Sequence, residues 1–126
     1  MNIVSAFLTK NTYYRQARKI TPQGLMLHSV GCAQPSAAVF VKRWNSEDYT
    51  RACVHAFVDA NTGDIYQTLP WEYRAPHGGG AVNNTHIGVE MCESSYIKYI
   101  GTSDRFEVIN SAAAWIPRQP GEGGPG

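Results

Sequence analysis

The chain carries four histidines, His28, His55, His77 and His86, and a carboxylate, Glu90, set in the middle of an apolar stretch. Imidazole is the side chain that both ligates metals and moves protons near neutral pH, so these positions come first. No histidine falls in HExxH or another helical pair spacing. A catalytic zinc takes three protein ligands and keeps one position open for water. His28 closes a short apolar run just before Gly31, where it either reaches a pocket as a ligand or sits in the core bonded to a backbone carbonyl. Side chains at i, i+2 and i+4 of a strand share a face. His86, Gly88 and Glu90 therefore point one way, and Ile87, Val89 and Met91 the other, toward the expected core. A carboxylate centred in such a strand suits a general base in a cleft, its pKa raised by burial. The alternative is a salt-bridged Glu near the sheet edge. His77 precedes three glycines in a loop, a place for substrate contact or for a solvated histidine. His55, between Val54 and Ala56, reads as structural. Cys32, Cys53 and Cys92 have no base nearby in sequence and read as small buried apolar residues.

The elements that must position these residues follow from the same pattern. Gly24–Ser29 is a short apolar run read as a buried strand. Pro35 and Ser36 open a helix, with Ser as cap and an apolar stripe pairing Ala37 with Val41 and Phe40 with Trp44. The runs 53–59 and 64–69 flank Ala60-Asn-Thr-Gly63, a hairpin signal in which Asn and Gly supply positive φ. Pro70 to Pro76 cannot continue a central strand, and 77–84 is a glycine-rich loop that lets backbone approach closely. A strand over 85–92 follows. From Arg105 a helix is expected, with Phe106, Ile109 and Ala113 along one stripe. Residues 115–126 hold three Pro and four Gly and are expected to be a disordered tail. Helices mixed with strands give a small α/β domain with a mixed sheet.

Composition bounds the function. The 126 residues suit one core. A formal net charge of +1 supplies no field to draw the chain to nucleic acid. No apolar run approaches the roughly 18 residues that span a bilayer, and the start lacks the basic leader and apolar core of a signal peptide. Three cysteines without a close pair suggest neither a disulfide framework nor a CxxC zinc site.

Five segments in order, Leu25-Met-Leu-His-Ser-Val-Gly31, Val54-His-Ala-Phe-Val-Asp59, Tyr66-Gln-Thr-Leu-Pro70, Arg74-Ala-Pro-His-Gly78 and Asn84-Thr-His-Ile-Gly-Val-Glu-Met-Cys-Glu93, resemble the type 2 N-acetylmuramoyl-L-alanine amidases, whose fold is shared with peptidoglycan recognition proteins. The wording is closest to phage and prophage endolysins. The resemblance covers about residues 20–114. It implies a central mixed sheet flanked by helices and a zinc ion in a groove, which polarises the amide between the muramic acid lactyl group and L-alanine. His28 matches the first zinc ligand. Glu90 matches the carboxylate that serves many members as general base. Other members carry a Tyr before the hairpin histidine; here that place is Val54, so the Glu-type arrangement is expected. His77 falls where the family has a groove-lining His, and substrate contact is its implied role. Trp71 and Tyr73 lead into that loop and wall the groove, and Asn84 joins them as substrate-binding.

The sequence departs from the family where the remaining ligands should be. The second His and the third ligand, Asp or Cys, follow the helix expected near Arg105. This chain has no histidine after His86 and no cysteine after Cys92, and Asp104 precedes that helix. The resemblance therefore implies a partial amidase domain over 1–114, incomplete at its C-terminus, with a tail over 115–126. The function expected is a zinc-dependent hydrolase of cell-wall peptidoglycan, endolysin-like and impaired because its Zn2+ site is incomplete. The alternatives are a non-catalytic peptidoglycan-binding module and an unstable fragment. Peptidoglycan is the implied partner, with no nucleic acid and no membrane span. Synthesis in the cytoplasm and action on the wall after release are expected.

Overall fold

The structure is a computed structural model and describes residues 1–100 and 102–108. The elements in order are β1 (Ile3–Ser5), α1 (Thr12–Gln16), β2 (Gly24–Ser29), α2 (Ala37–Trp44), β3 (Ala56–Val58), β4 (Ile65–Gln67), a 3-10 helix (Gly80–Asn84), β5 (His86–Met91), β6 (Ile97–Ile100) and β7 (Thr102–Val108). Five strands make one mixed sheet in the order β1-β4-β3-β5-β2. Only the β3–β4 pair is antiparallel; β1 runs parallel to β4, and β5 parallel to both β3 and β2. The α/β class with a mixed sheet is thus as expected. No helix among the described residues is long and apolar enough to cross a membrane.

The hairpin forms where Ala60–Gly63 was expected to turn the chain, although its strands are shorter than the apolar runs around them. Gly63 takes the positive φ of 75°, whereas Asn61 does not. Asp59 replaces the expected Asn effect: its Oδ2 accepts from Asn61 N (3.1 Å), Thr62 N (3.0 Å) and Thr62 Oγ1 (3.1 Å). Its other oxygen accepts from Ala37 N at 2.8 Å. That bond corrects a second expectation. Ser36 stands at the N-cap of α2 but makes no side-chain cap bond; the helix N–H that a side chain does take, that of Ala37, goes to the buried Asp59 carboxylate.

The stripe on α2 packs as its spacing dictates. Ala37 and Phe40 are buried with Val54 and Phe57, and Val41 and Trp44 lie against them. Phe40 stacks on Phe57 with centroids 5.2 Å apart, and Trp44 meets the same ring edge-on at 5.0 Å. Phe57 is the register partner of Glu90, so α2 covers the sheet face that carries Glu90. A second cluster, Leu8, Cys53, Leu69 and Ala75, is sealed by Tyr13, Tyr14 and Tyr73.

Four expectations are corrected. The face bearing Ile87, Val89 and Met91 is core only in part: Val89 is buried, Ile87 half-buried and Met91 exposed. It lines an apolar groove of about 520 Å³ with Leu25, Leu27, Val58, Ile65 and Trp71, and Leu25 and Leu27 are each 58% exposed. Period-two alternation separates two faces but does not say which one a helix will cross, and here α2 and the loop returning from β4 cross the face with the polar residues. Cys32 is exposed and Cys92 half-buried, so only Cys53 is the buried apolar residue expected. The segment 105–108 belongs to β7, antiparallel to β6, and not to a helix. Finally, the loop after His77 contains a 3-10 turn over Gly80–Asn84. The rest of the expected helix, 109–114, and the tail over 115–126 lie outside the described residues.

Candidate active site

His28 and Glu90 are Cα partners across the parallel β2–β5 pair. Paired residues of a parallel ladder project to the same side, so the imidazole and the carboxylate stand together on the α2 face. Glu90 Oε2 is buried and, among the described residues, has no hydrogen-bond partner. Burial pushes the Glu90 carboxyl up to about 7, helped by the nearby Glu93 charge. Glu93 is itself anchored at the strand ends, its Oε2 accepting from Ser29 Oγ and from Gly31 N at 2.7 Å. The reading of Glu90 as a salt-bridged edge residue does not hold among the described residues, where the ion pairs are Arg15–Glu47 and Lys19–Glu72.

His77 reaches this pair from the loop after β4. Its backbone is fixed by Asn83, which is buried and whose Oδ1 accepts from His77 N (3.0 Å) and Gly78 N (2.9 Å). Its ring lies over Gly88, where a Cβ would come within 2.2 Å of His77 Cγ. This is a glycine required by close approach. The ring nitrogens can be assigned from their partners. His77 Nε2 faces the His86 carbonyl at 2.9 Å; a carbonyl only accepts, so Nε2 carries the proton. In the neutral ring Nδ1 is then an acceptor, and it takes its bond from His28 Nε2 at 3.0 Å. His28 is left with a bare Nδ1. Burial, together with the neighbouring His28, His86 and Arg74, lowers the pKa of His77.

His55 is the second locked ring. Gly88 N donates to its Nδ1 (3.0 Å), and its Nε2 donates to Tyr73 O (2.6 Å). It is fully buried, which matches its structural reading. Burial is also the main cause of its lowered pKa, since the charged ring would be cut off from water.

Three of the residues singled out from sequence, His28, His77 and Glu90, are thus brought together. The others are not. Trp71 lines the apolar groove on the opposite face of the sheet. Tyr73 packs on the Leu8 cluster, with Lys19 Nζ 4.8 Å from its ring centroid and the Tyr14 ring at 5.9 Å. Asn84 is exposed, its Oδ1 accepting from Arg74 Nε at 2.7 Å. His86 bonds through Nδ1 to Thr85 Oγ1 at 2.7 Å, and its ring lies over Gly24. Asn83 and Gly88 were missed as the residues that seat His77. The shared face of Gly88 with Glu90 was the signal available for one of them.

A resident zinc was tested against these donors. Among the described residues no group of three His, Cys, Asp or Glu is placed to hold a metal ion. His28 offers one nitrogen, and its neighbour His77 has both of its own engaged. The set falls short of the three protein ligands of a catalytic zinc, so the donors described here do not fit that ion.

The mixed sheet thus sets an imidazole, His28, and a carboxylate, Glu90, side by side on its helix-covered face. The profile of the N-acetylmuramoyl-L-alanine amidase family, Amidase_2, matches residues 17–119, and the chain belongs to that family. Solved structures agree on the fold. The catalytic domain of XlyA is 25% identical with a TM-score of 0.66, over 92% of this chain and 72% of its own. A mutant endolysin from Bacillus subtilis is 24% identical with a TM-score of 0.64 over the same shares. The Staphylococcus aureus hydrolase AmiA, solved with its ligand, is 24% identical with a TM-score of 0.55, over 73% of this chain and 44% of its own. No curated protein matches the sequence.

Proposed function

We propose that this chain binds bacterial peptidoglycan and acts on the amide between the muramic acid lactyl group and L-alanine, as an endolysin-type protein of phage or prophage origin with impaired turnover. Family membership and the likeness to endolysins support the substrate. The observation that carries the chemistry is Glu90 beside His28, with a buried oxygen that has no partner among the described residues and a carboxyl pushed up to about 7. In its ionised form Glu90 takes a proton from water as the oxygen adds to the amide carbonyl carbon. The same proton passes to the alanine nitrogen as the C–N bond breaks.

Magnitude decides why turnover is impaired. A positioned base contributes a factor of about 100 to 10,000, whereas enzymes accelerate reactions by about a million-fold or more. The remainder requires an electrophile on the carbonyl oxygen, which family members take from zinc and which the described donors here do not hold. A non-catalytic wall-binding role is the second reading, favoured by that same shortage. Incubation with purified peptidoglycan separates the two. Slow appearance of new L-alanine N-termini, abolished in Glu90→Gln, supports the first, and sedimentation with the wall without any such release supports the second. Failure to sediment with the wall at all contradicts both.

A further inference from the structure

Both ring nitrogens of His77 are already spent inside the protein, Nε2 on the His86 carbonyl and Nδ1 on His28. A histidine that hydrogen-bonds its substrate needs a free donor or acceptor, and His77 has both nitrogens engaged. We infer that His77 is a positioning residue for His28: it accepts from His28 Nε2 and so fixes that ring in the tautomer whose Nδ1 carries no proton. This rests on the reading of the His28–Glu90 face as the working face.

Every part of the seat serves this single bond. Asn83 clamps the backbone of the His77 loop through two N–H groups. Gly88 leaves out the side chain that would otherwise occupy the place of the ring. The His86 carbonyl selects which nitrogen of His77 is protonated, and through it which nitrogen of His28 is. His55 holds the same rung of β5 by accepting from Gly88 N, and it ties down the loop at Tyr73. A neutral imidazole is worth using as a base or nucleophile only where its lone pair is presented. The seat determines that presentation from residues on three separate segments.

The test reads the His28 tautomer directly, by two-bond 1H–15N spectra of the full chain with 15N-labelled histidine, with no substrate present. Wild type should show His28 protonated on Nε2 alone. His77→Phe removes the acceptor, and His28 should then average between its two tautomers. His77→Asn returns an acceptor oxygen near the Nδ1 position and should restore the single tautomer. Gly88→Ala leaves His77 in the chain but displaces its ring, and should reproduce the His77→Phe spectrum; it also keeps the test open if His77→Phe does not fold. Retention on purified peptidoglycan should stay within about twofold of wild type for His77→Asn, well under the tenfold that 1.4 kcal/mol represents. An unchanged His28 spectrum in His77→Phe and Gly88→Ala overturns the inference. So does a loss of wall retention in His77→Asn with the His28 tautomer intact, which marks His77 as a substrate contact. Failure of wall binding in wild type counts against the proposed function and leaves the spectral result standing.

Discussion

His28 and Glu90 leave the sheet side by side, as register partners on the two strands β2 and β5. A parallel ladder holds two such side chains on one face without any loop to place them. Its consequences can be tested one at a time.

Glu90 sets a pH dependence for any residual amide cleavage. The base must be ionised, and its carboxyl titrates at about 7. Release of L-alanine termini should therefore rise with pH up to about 7 and level off above it. Glu90→Gln should lower it by about 100-fold or more. A flat profile between pH 5 and 8 (the span about the Glu90 titration) contradicts the assignment.

The same carboxyl sets a stability trend of opposite sign. Its pKa is raised in the folded chain from 4.5 to about 7, so between those values the unfolded chain has released a proton that the folded chain keeps. Stability therefore falls as pH rises through that window, and the fall is complete above about 7. Thermal melts across the window should show a decline in Tm that Glu90→Gln removes.

His55 is held neutral between Gly88 N and Tyr73 O. In His55→Ala both groups stay buried without partners, at about 1–3 kcal/mol each, and for a chain of this size each kcal/mol lowers Tm by about 4 °C. Its pKa is lowered on folding, so the unfolded chain takes up a proton first as pH falls below 6.5. Stability should drop in that acid range and do so less in His55→Gln. Denaturant melts of both variants check this.

Asp59 links the hairpin turn to the first N–H of α2. Asp59→Ala removes a buried cap and the turn bonds together, and should cost about 2–3 kcal/mol, above the usual cost of a lost cap. Ser36→Ala, at the N-cap position without a cap bond, should cost less than about 0.5 kcal/mol. Equal losses in the two variants would show that Ser36 caps the helix in solution.

The sequence and the structure meet where periodicity is long enough to speak. The eight-residue helix α2 and the six-residue strands β2 and β5 were legible, because each repeats its pattern more than once. β1 and α1, at three and five residues, are shorter than one informative window and went unread. Around Phe106 the sequence supports two periods at once: Phe106 and Val108 alternate as a strand, while Phe106, Ile109 and Ala113 make a helical stripe. Pairing with β6 decided for the strand over 102–108. In the site, strand parity was enough to set His86, Gly88 and Glu90 on one face. It could not show that Gly88 makes room for His77, or that Asn83 clamps the loop, since both depend on which segments the tertiary fold lays against each other.

Metal analysis of the purified 126-residue chain, paired with an assay of peptidoglycan cleavage, bears most directly on the proposed function. With the donors around His28 and Glu90, zinc should remain well below one ion per chain after dialysis. The protein should sediment with the wall, and L-alanine termini should appear only slowly and through Glu90. One tightly held zinc per chain, with rapid release of muramic acid-linked L-alanine termini, would contradict it.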